Sequence, residues 1–182
     1  MGFTQYSGSA SNYPSKDTWK PWPDIFYIFQ QSMVDAGSTW DDVNRIFVAI
    51  NEAAKMGVEE RVILCIIIKA SSGNVGVGTP DDNGHNPTGG LMQSEESKGF
   101  PGQKNLSQAD ITGMVKAGTE HFKGNLEQQG NGDDAKTIYE ALRLYNTGRV
   151  DPNNLNDDWT GNGHSDPNYV SVVANYLQGI LG

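Results

Sequence analysis

Two adjacent aspartates, Asp81 and Asp82, sit inside Thr79-Pro80-Asp81-Asp82-Asn83-Gly84, and Glu95-Glu96 and Glu120 follow further along. Carboxylates whose surroundings push their pKa values apart can serve as acid and base of one reaction. The aspartate run also reads as a turn whose side chains bond to their own backbone, and the glutamates read as solvated. Spacing alone therefore leaves the site undecided. Other chemistries find less support. His85, His121 and His164 are scattered, and one cysteine, Cys65, makes no pair, so zinc is not expected. Asp151-x-Asn153 opens like a calcium loop, but Leu155 occupies the fifth position and no glycine follows. Gly76-Val77-Gly78 lacks the rest of a phosphate loop. Neither Ser71 nor Ser72 sits in Gly-x-Ser-x-Gly. No metal and no cofactor is expected.

The elements that must position such groups are helical. Apolar residues at helical spacing run from Ile25 to Met33 and again through Val43, Ile46, Phe47 and Ile50, the second run opened by a capping box at Thr39-x-x-Asp42. Val58 to Ser72 is the most apolar segment; Glu59-Glu60-Arg61 at its start favours a helix buried all round at its centre. Cys65 lies within it and reads as a buried, inert thiol. Further helices are predicted from Ser107-x-x-Asp110, from Asn131-Gly132-Asp133-Asp134 to Gly148, and from Asp166-Pro167 onward. Residues 73–106 and 149–166 are long polar loops, expected to line a cleft. Any short strands belong within residues 73–95. The expected architecture is a mainly α single domain, residues 24–182, with residues 1–23 as an arm packed on its body.

Composition narrows the partners. The 182 residues carry 13 Lys+Arg against 22 Asp+Glu, a net charge of −9, and 36% are hydrophobic. This acidity speaks against nucleic acid and anionic membranes and leaves neutral polysaccharides open. No stretch reaches the ~18–20 apolar residues of a membrane span. Met1-Gly2-Phe3-Thr4 does not read as a signal peptide. The chain is either intracellular or a mature secreted chain with an added start.

Three segments carry a resemblance. Ile66-Ile67-Ile68-Lys69-Ala70-Ser71-Ser72-Gly73 resembles the helix end of lysozyme-like glycosidases, which closes in Glu-Ser-Ser-Gly with the glutamate as acid catalyst. Gly90-Leu91-Met92-Gln93 resembles the Gly-Leu-Met-Gln that follows in those families, and Leu144-Tyr145-Asn146-Thr147-Gly148 resembles their Tyr-Asn-x-Gly. The ordered triple covers roughly residues 58–148. It implies a goose-lysozyme-like α fold with a sugar-binding cleft. Glycoside hydrolase family 23 holds goose-type lysozymes and lytic transglycosylases acting on peptidoglycan and sometimes chitin. Glycoside hydrolase family 134 holds inverting endo-β-1,4-mannanases with a Glu acid and an Asp base twelve positions later. Asp82 lies twelve positions after residue 70, which favours the mannanase family.

The chain departs from both families where it matters most: Ala70 stands at the position of the acid. Either a natural relative has lost activity, or the acid was replaced to trap a substrate, which the retained surroundings favour. The resemblance implies an endo-acting, inverting hydrolase of β-1,4-mannan that is nearly inactive as it stands but binds oligosaccharide. It implies a secreted monomer, with Asp82 as general base. Gln93, Tyr145 and Asn146 are the first candidates for sugar contacts, followed by Asn83, His85 and Trp159. A non-catalytic carbohydrate-binding protein in which Ala70 is natural, and an α-helical interaction domain, are the readings from other classes.

Overall fold

A computed structural model describes residues 2–78, 88–95, 97–159 and 165–182. The described residues form six α-helices: α1 (Asp24–Asp35), α2 (Trp40–Ala53), α3 (Glu60–Ser71), α4 (Gln108–Gln128), α5 (Ala135–Thr147) and α6 (Tyr169–Leu177). They also form one antiparallel pair of two-residue strands, β1 (Thr88–Gly89) and β2 (Ser94–Glu95), with Thr88 opposite Glu95 and Gly89 opposite Ser94. The protein is mainly α, and its only β element among the described residues falls inside the predicted 73–95 window. The chain divides into two compact units, Pro21–His121 and Met1–Lys20 together with Phe122–Gly182.

Helix starts follow cap chemistry. Thr39 Oγ1 accepts from the Asp42 N–H at 3.0 Å while the Asp42 carboxylate accepts from the Thr39 N–H at 3.0 Å, which completes the capping box of α2. Ser107 Oγ accepts from the Asp110 N–H, and Asp134 caps α5 through the Thr137 N–H. The last helix differs from expectation. Asp166 Oδ1 accepts from the Asn168 N–H at 2.9 Å, closing a side-chain turn. Helix α6 therefore begins at Tyr169 rather than Pro167, and it ends at Leu177.

In the unit Pro21–His121, α1 packs on α2 and α3, and α2 packs on α3. Phe26, Phe29, Met33, Ile46 and Ile50 from the first two helices and every residue from Val62 to Ile68 of α3 are buried. Each such side chain contributes about 1.5–3 kcal/mol of transfer free energy. Helix α3 is buried all round at its centre, so neither periodicity nor amphipathicity could have distinguished it from a strand; its length and charged start do so. Cys65 is fully buried, and desolvation raises its thiol pKa far above the ordinary range, so it remains a thiol.

In the other unit, α5 packs on α6 and on a short 3₁₀ turn at Ala10–Asn12 of the N-terminal segment. That segment lies along α6 and uses side chains where a sheet would supply backbone. Asn175 Oδ1 accepts from the Thr4 N–H at 2.9 Å, and Asn175 Nδ2 donates to the Thr4 carbonyl at 2.7 Å. Ser171 Oγ accepts from the Tyr6 N–H at 2.8 Å. Trp19 donates through Nε1 to the Tyr139 hydroxyl at 3.0 Å, and that hydroxyl donates to the Pro14 carbonyl at 2.6 Å. The extended segment thereby satisfies backbone groups that burial would otherwise leave costly.

Candidate active site

The site is best built from the exit of α3. Ala70 lies in the last turn of this helix and is half-buried, the first position after Val62–Ile68, with Lys69, that is not sealed in the interior. Immediately after it the chain turns left-handed, with φ of 56° at Ser72 and 75° at Gly73. A Cβ on Gly73 would come within 2.1 Å of Met33 Cγ, so this sharp exit requires glycine. Ser38, buried at the start of α2, holds the far side: its hydroxyl donates to the Gly73 carbonyl at 2.6 Å and accepts from the Val75 N–H at 3.0 Å. The segment beyond is pinned where the Gly102 N–H donates to the Gly76 carbonyl.

Ser71 joins this helix end to the second motif. Its Oγ lies 2.8 Å from the Leu91 carbonyl and 3.0 Å from the Ile67 carbonyl. Leu91 and Met92 are buried in the turn between β1 and β2, and Met92 seats against α4. Gly118 makes that contact feasible, because a Cβ there would lie 2.4 Å from Met92 Cβ. Gln93 closes the turn with φ of 47°, and its Nε2 donates to the Gly90 carbonyl at 2.8 Å. Gln93 keeps its Oε1 to offer a ligand, and its second Nε2 hydrogen reaches the Gly78 carbonyl only at 3.5 Å. The structure thus brings Ala70 and Gln93 into one tied arrangement within the unit Pro21–His121. Asp82, Asn83 and His85 lie outside the described residues.

The third motif belongs to the other unit. Tyr145 packs edge-on against Phe122, with ring centroids 6.1 Å apart. Burial, and secondarily the Tyr169 phenol, raise its pKa well above the usual tyrosine value, so it stays a neutral hydroxyl. Asn146 is engaged within the fold: its Oδ1 accepts from Arg143 Nη1 at 3.2 Å and from the Asp166 N–H at 3.0 Å. Trp159 is half-buried, with the Arg149 guanidinium 5.6 Å from its ring centroid.

No family model, curated protein or solved structure matches the chain. The candidate residues therefore rest on their own geometry, and in the unit holding α5 that geometry includes two residues that sequence reasoning passed over. Arg143 is 1% exposed; its Nη2 donates to Asp157 Oδ1 at 2.6 Å and to the Asp157 carbonyl at 2.7 Å, and its Nη1 donates to the Asp166 carbonyl at 3.0 Å. Arg149 also approaches Asp157, at 3.6 Å. This network fixes the segment carrying Trp159 to α5. The available signal was an arginine four residues after Tyr139 and three before Asn146, on the buried side of α5. Among the described residues no group of three or more His, Cys, Asp or Glu is placed to hold a metal ion, and no helix is long and apolar enough to cross a membrane.

Proposed function

We propose that the chain is an endo-acting glycoside hydrolase of β-1,4-mannan, of the inverting acid/base kind, with Ala70 in the seat of the general acid. The observation that carries this reading is the bond from Ser71 to Leu91, which ties the helix end at residue 70 to the Gly90–Gln93 turn. Two motifs that the resemblance makes parts of one site are neighbours within one unit. An inverting enzyme protonates the leaving oxygen with one carboxyl and activates water with another, about 6.5–9.5 Å away. A carboxyl at position 70 would supply the first, and Asp82 the second. Gln93 is a proposed sugar contact in the unit of residue 70, and Tyr145, Asn146 and Trp159 are proposed sugar contacts in the other unit, where Asn146 also holds the backbone at Asp166. We assign the enzyme to a secreted, monomeric state acting on neutral polysaccharide.

The test is Ala70→Glu against the parent on soluble mannan, glycol chitin and peptidoglycan. General acid catalysis contributes ~10²–10⁴-fold, and a gain of that order on mannan, with the α-anomer formed first, is expected. A gain confined to peptidoglycan would move the chain to the lysozyme reading, and no gain on any of the three would remove residue 70 from catalysis. In the restored background, Asp82→Asn should abolish the gain; an unchanged rate would make Asp82 an ordinary turn residue.

A further inference from the structure

The stretch that leads into α4 carries a motif that the proposed site leaves unused. Asn105-Leu106-Ser107 is the chain's one asparagine followed two places on by serine or threonine with no proline between; the proline in Asn86-Pro87-Thr88 disqualifies that segment. This is the acceptor pattern for an asparagine-linked oligosaccharide. The fold presents it openly. Residues 97–107 belong to no helix or strand, and every residue from 101 to 105 is exposed. Asn105 is held by its backbone and by one side-chain atom. Its N–H donates to the Asp42 carboxylate at 2.7 Å, and its Oδ1 accepts from Arg45 Nη1 at 3.1 Å. Among the described residues its Nδ2 donates to nothing. Nitrogen is the atom that a glycan takes, so the fold leaves over the atom that is needed.

We propose that Asn105 accepts a single N-linked oligosaccharide when the chain is made in a secretory pathway that supplies a lipid-pyrophosphate-linked donor; this rests on the secreted reading above. Nδ2 attacks the first anomeric carbon of the donor. The new C–N bond replaces the C–O bond to pyrophosphate, the lipid pyrophosphate leaves, and the amide gives up one proton. The Asn105 N–H and Oδ1 take no part, so the modified chain keeps its bonds to Asp42 and Arg45. Both motif residues also have local duties. Asn105 sits in the left-handed region with φ of 56°, which asparagine tolerates. Ser107 Oγ accepts from the Asp110 N–H at 3.1 Å and caps α4. Neither duty uses Nδ2, and a cap is served as well by aspartate as by serine. Substitution at 107 therefore separates the cap from the acceptor.

The experiment expresses the full chain behind a supplied leader peptide in cultured animal cells, beside Ser107→Asp and Ser107→Thr. Aspartate keeps the cap and removes the hydroxyl; threonine keeps both. Secreted and cell-retained chains are both read. The parent and Ser107→Thr should run as a heavier band that peptide-N-glycosidase lowers, leaving aspartate at 105 in the tryptic peptide 105–116. Ser107→Asp should lose that band entirely, with circular dichroism and Tm showing that it folds. The glycan is mapped on the parent itself, so the assignment does not hang on the folding of a variant. A parent band that the enzyme does not shift, a shift that survives in Ser107→Asp, or a glycan mapped to another asparagine would overturn it. Because the leader is supplied, a missing glycan counts against Asn105 and not against the chain's own secretion. Hydrolysis of mannan by Ala70→Glu reports separately on the glycosidase reading.

Discussion

A carboxyl introduced at residue 70 would meet opposed influences. Lys69 precedes it and favours the anion, but adjacent helical side chains point about 100° apart and do not face each other. The carbonyl end of α3 disfavours an anion by about 0.3–1 kcal/mol, and partial burial adds to this. Together these raise the group above the value of a free glutamate. The acid works only when protonated, so the alkaline limb of kcat/KM against pH for Ala70→Glu should fall above the ~4.3 of a free glutamate. A limb below 4.3 would show that Lys69 wins. That residue 70 lies at a helix end was legible in the apolar run before it. The hydrogen bonds of Asn146 were not, because its acceptor meets Arg143 and a backbone N–H twenty residues away in sequence. Arg143 itself reads as a solvated charge until the carbonyls of Asp157 and Asp166 arrive to surround it.

Among the elements, all six helices were legible because their signals are local: side-chain caps at α2, α4 and α5, apolar stripes in α1 and α6, and length with a charged start in α3. Their seating was not, since it depends on contacts between distant segments. Gly118 shows this. A glycine in the interior of α4 appears only as a helix weakness, costing ~1 kcal/mol relative to alanine. In the fold it admits Met92, and the missing Cβ would sit 2.4 Å from Met92 Cβ, near the start of that side chain rather than at its flexible end. Overpacking of about 1–3 kcal/mol should outweigh the helical gain. Gly118→Ala is expected to lower Tm and, in the Ala70→Glu background, to reduce turnover by displacing the Gly90–Gln93 turn. A raised Tm would refute that seating. Asp42 gives a second case: the sequence shows a helix cap, whereas the carboxylate also accepts from the Asn105 and Leu106 N–H groups at 2.7 and 2.8 Å. Burial pushes its pKa up, but the hydrogen bonds from Thr39, Asn105 and Leu106 outweigh this and hold it below the ordinary value. The stability it contributes is therefore complete above the unfolded pKa of ~3.9 and is lost as pH falls through the lower folded pKa. Asp42→Asn should destabilise the protein by about 1–3 kcal/mol at neutral pH and flatten the acid limb of a Tm–pH curve; an unchanged limb would assign acid sensitivity elsewhere.

On the scale of the whole molecule, one unit is contiguous in sequence and the other joins the first twenty residues to the last third of the chain. Its joining bonds span sequence separations of up to 171 residues, between Thr4 and Asn175. An N-terminal segment rich in Ser, Tyr, Asn and Pro reads as an arm packed on the body without naming the element it packs on. Asn175 and Ser171 read as polar positions on a helix, so this assembly could not be anticipated from local pattern. The consequence is that the discontinuous unit depends on bonds which the contiguous one does not share. Asn175→Ala removes both Thr4 bonds at once and should cost about 1–3 kcal/mol. Where amides exchange through opening of their own unit, those of α5 and α6 should lose roughly 10- to 100-fold in native-state hydrogen-exchange protection, while those of α1, α2 and α3 keep theirs. Equal losses in both sets would mean that the chain opens only as a whole. The N-terminal segment would then stabilise every helix alike, and its attachment to α6 would be one contact of a single cooperative structure rather than the closure of a separate one.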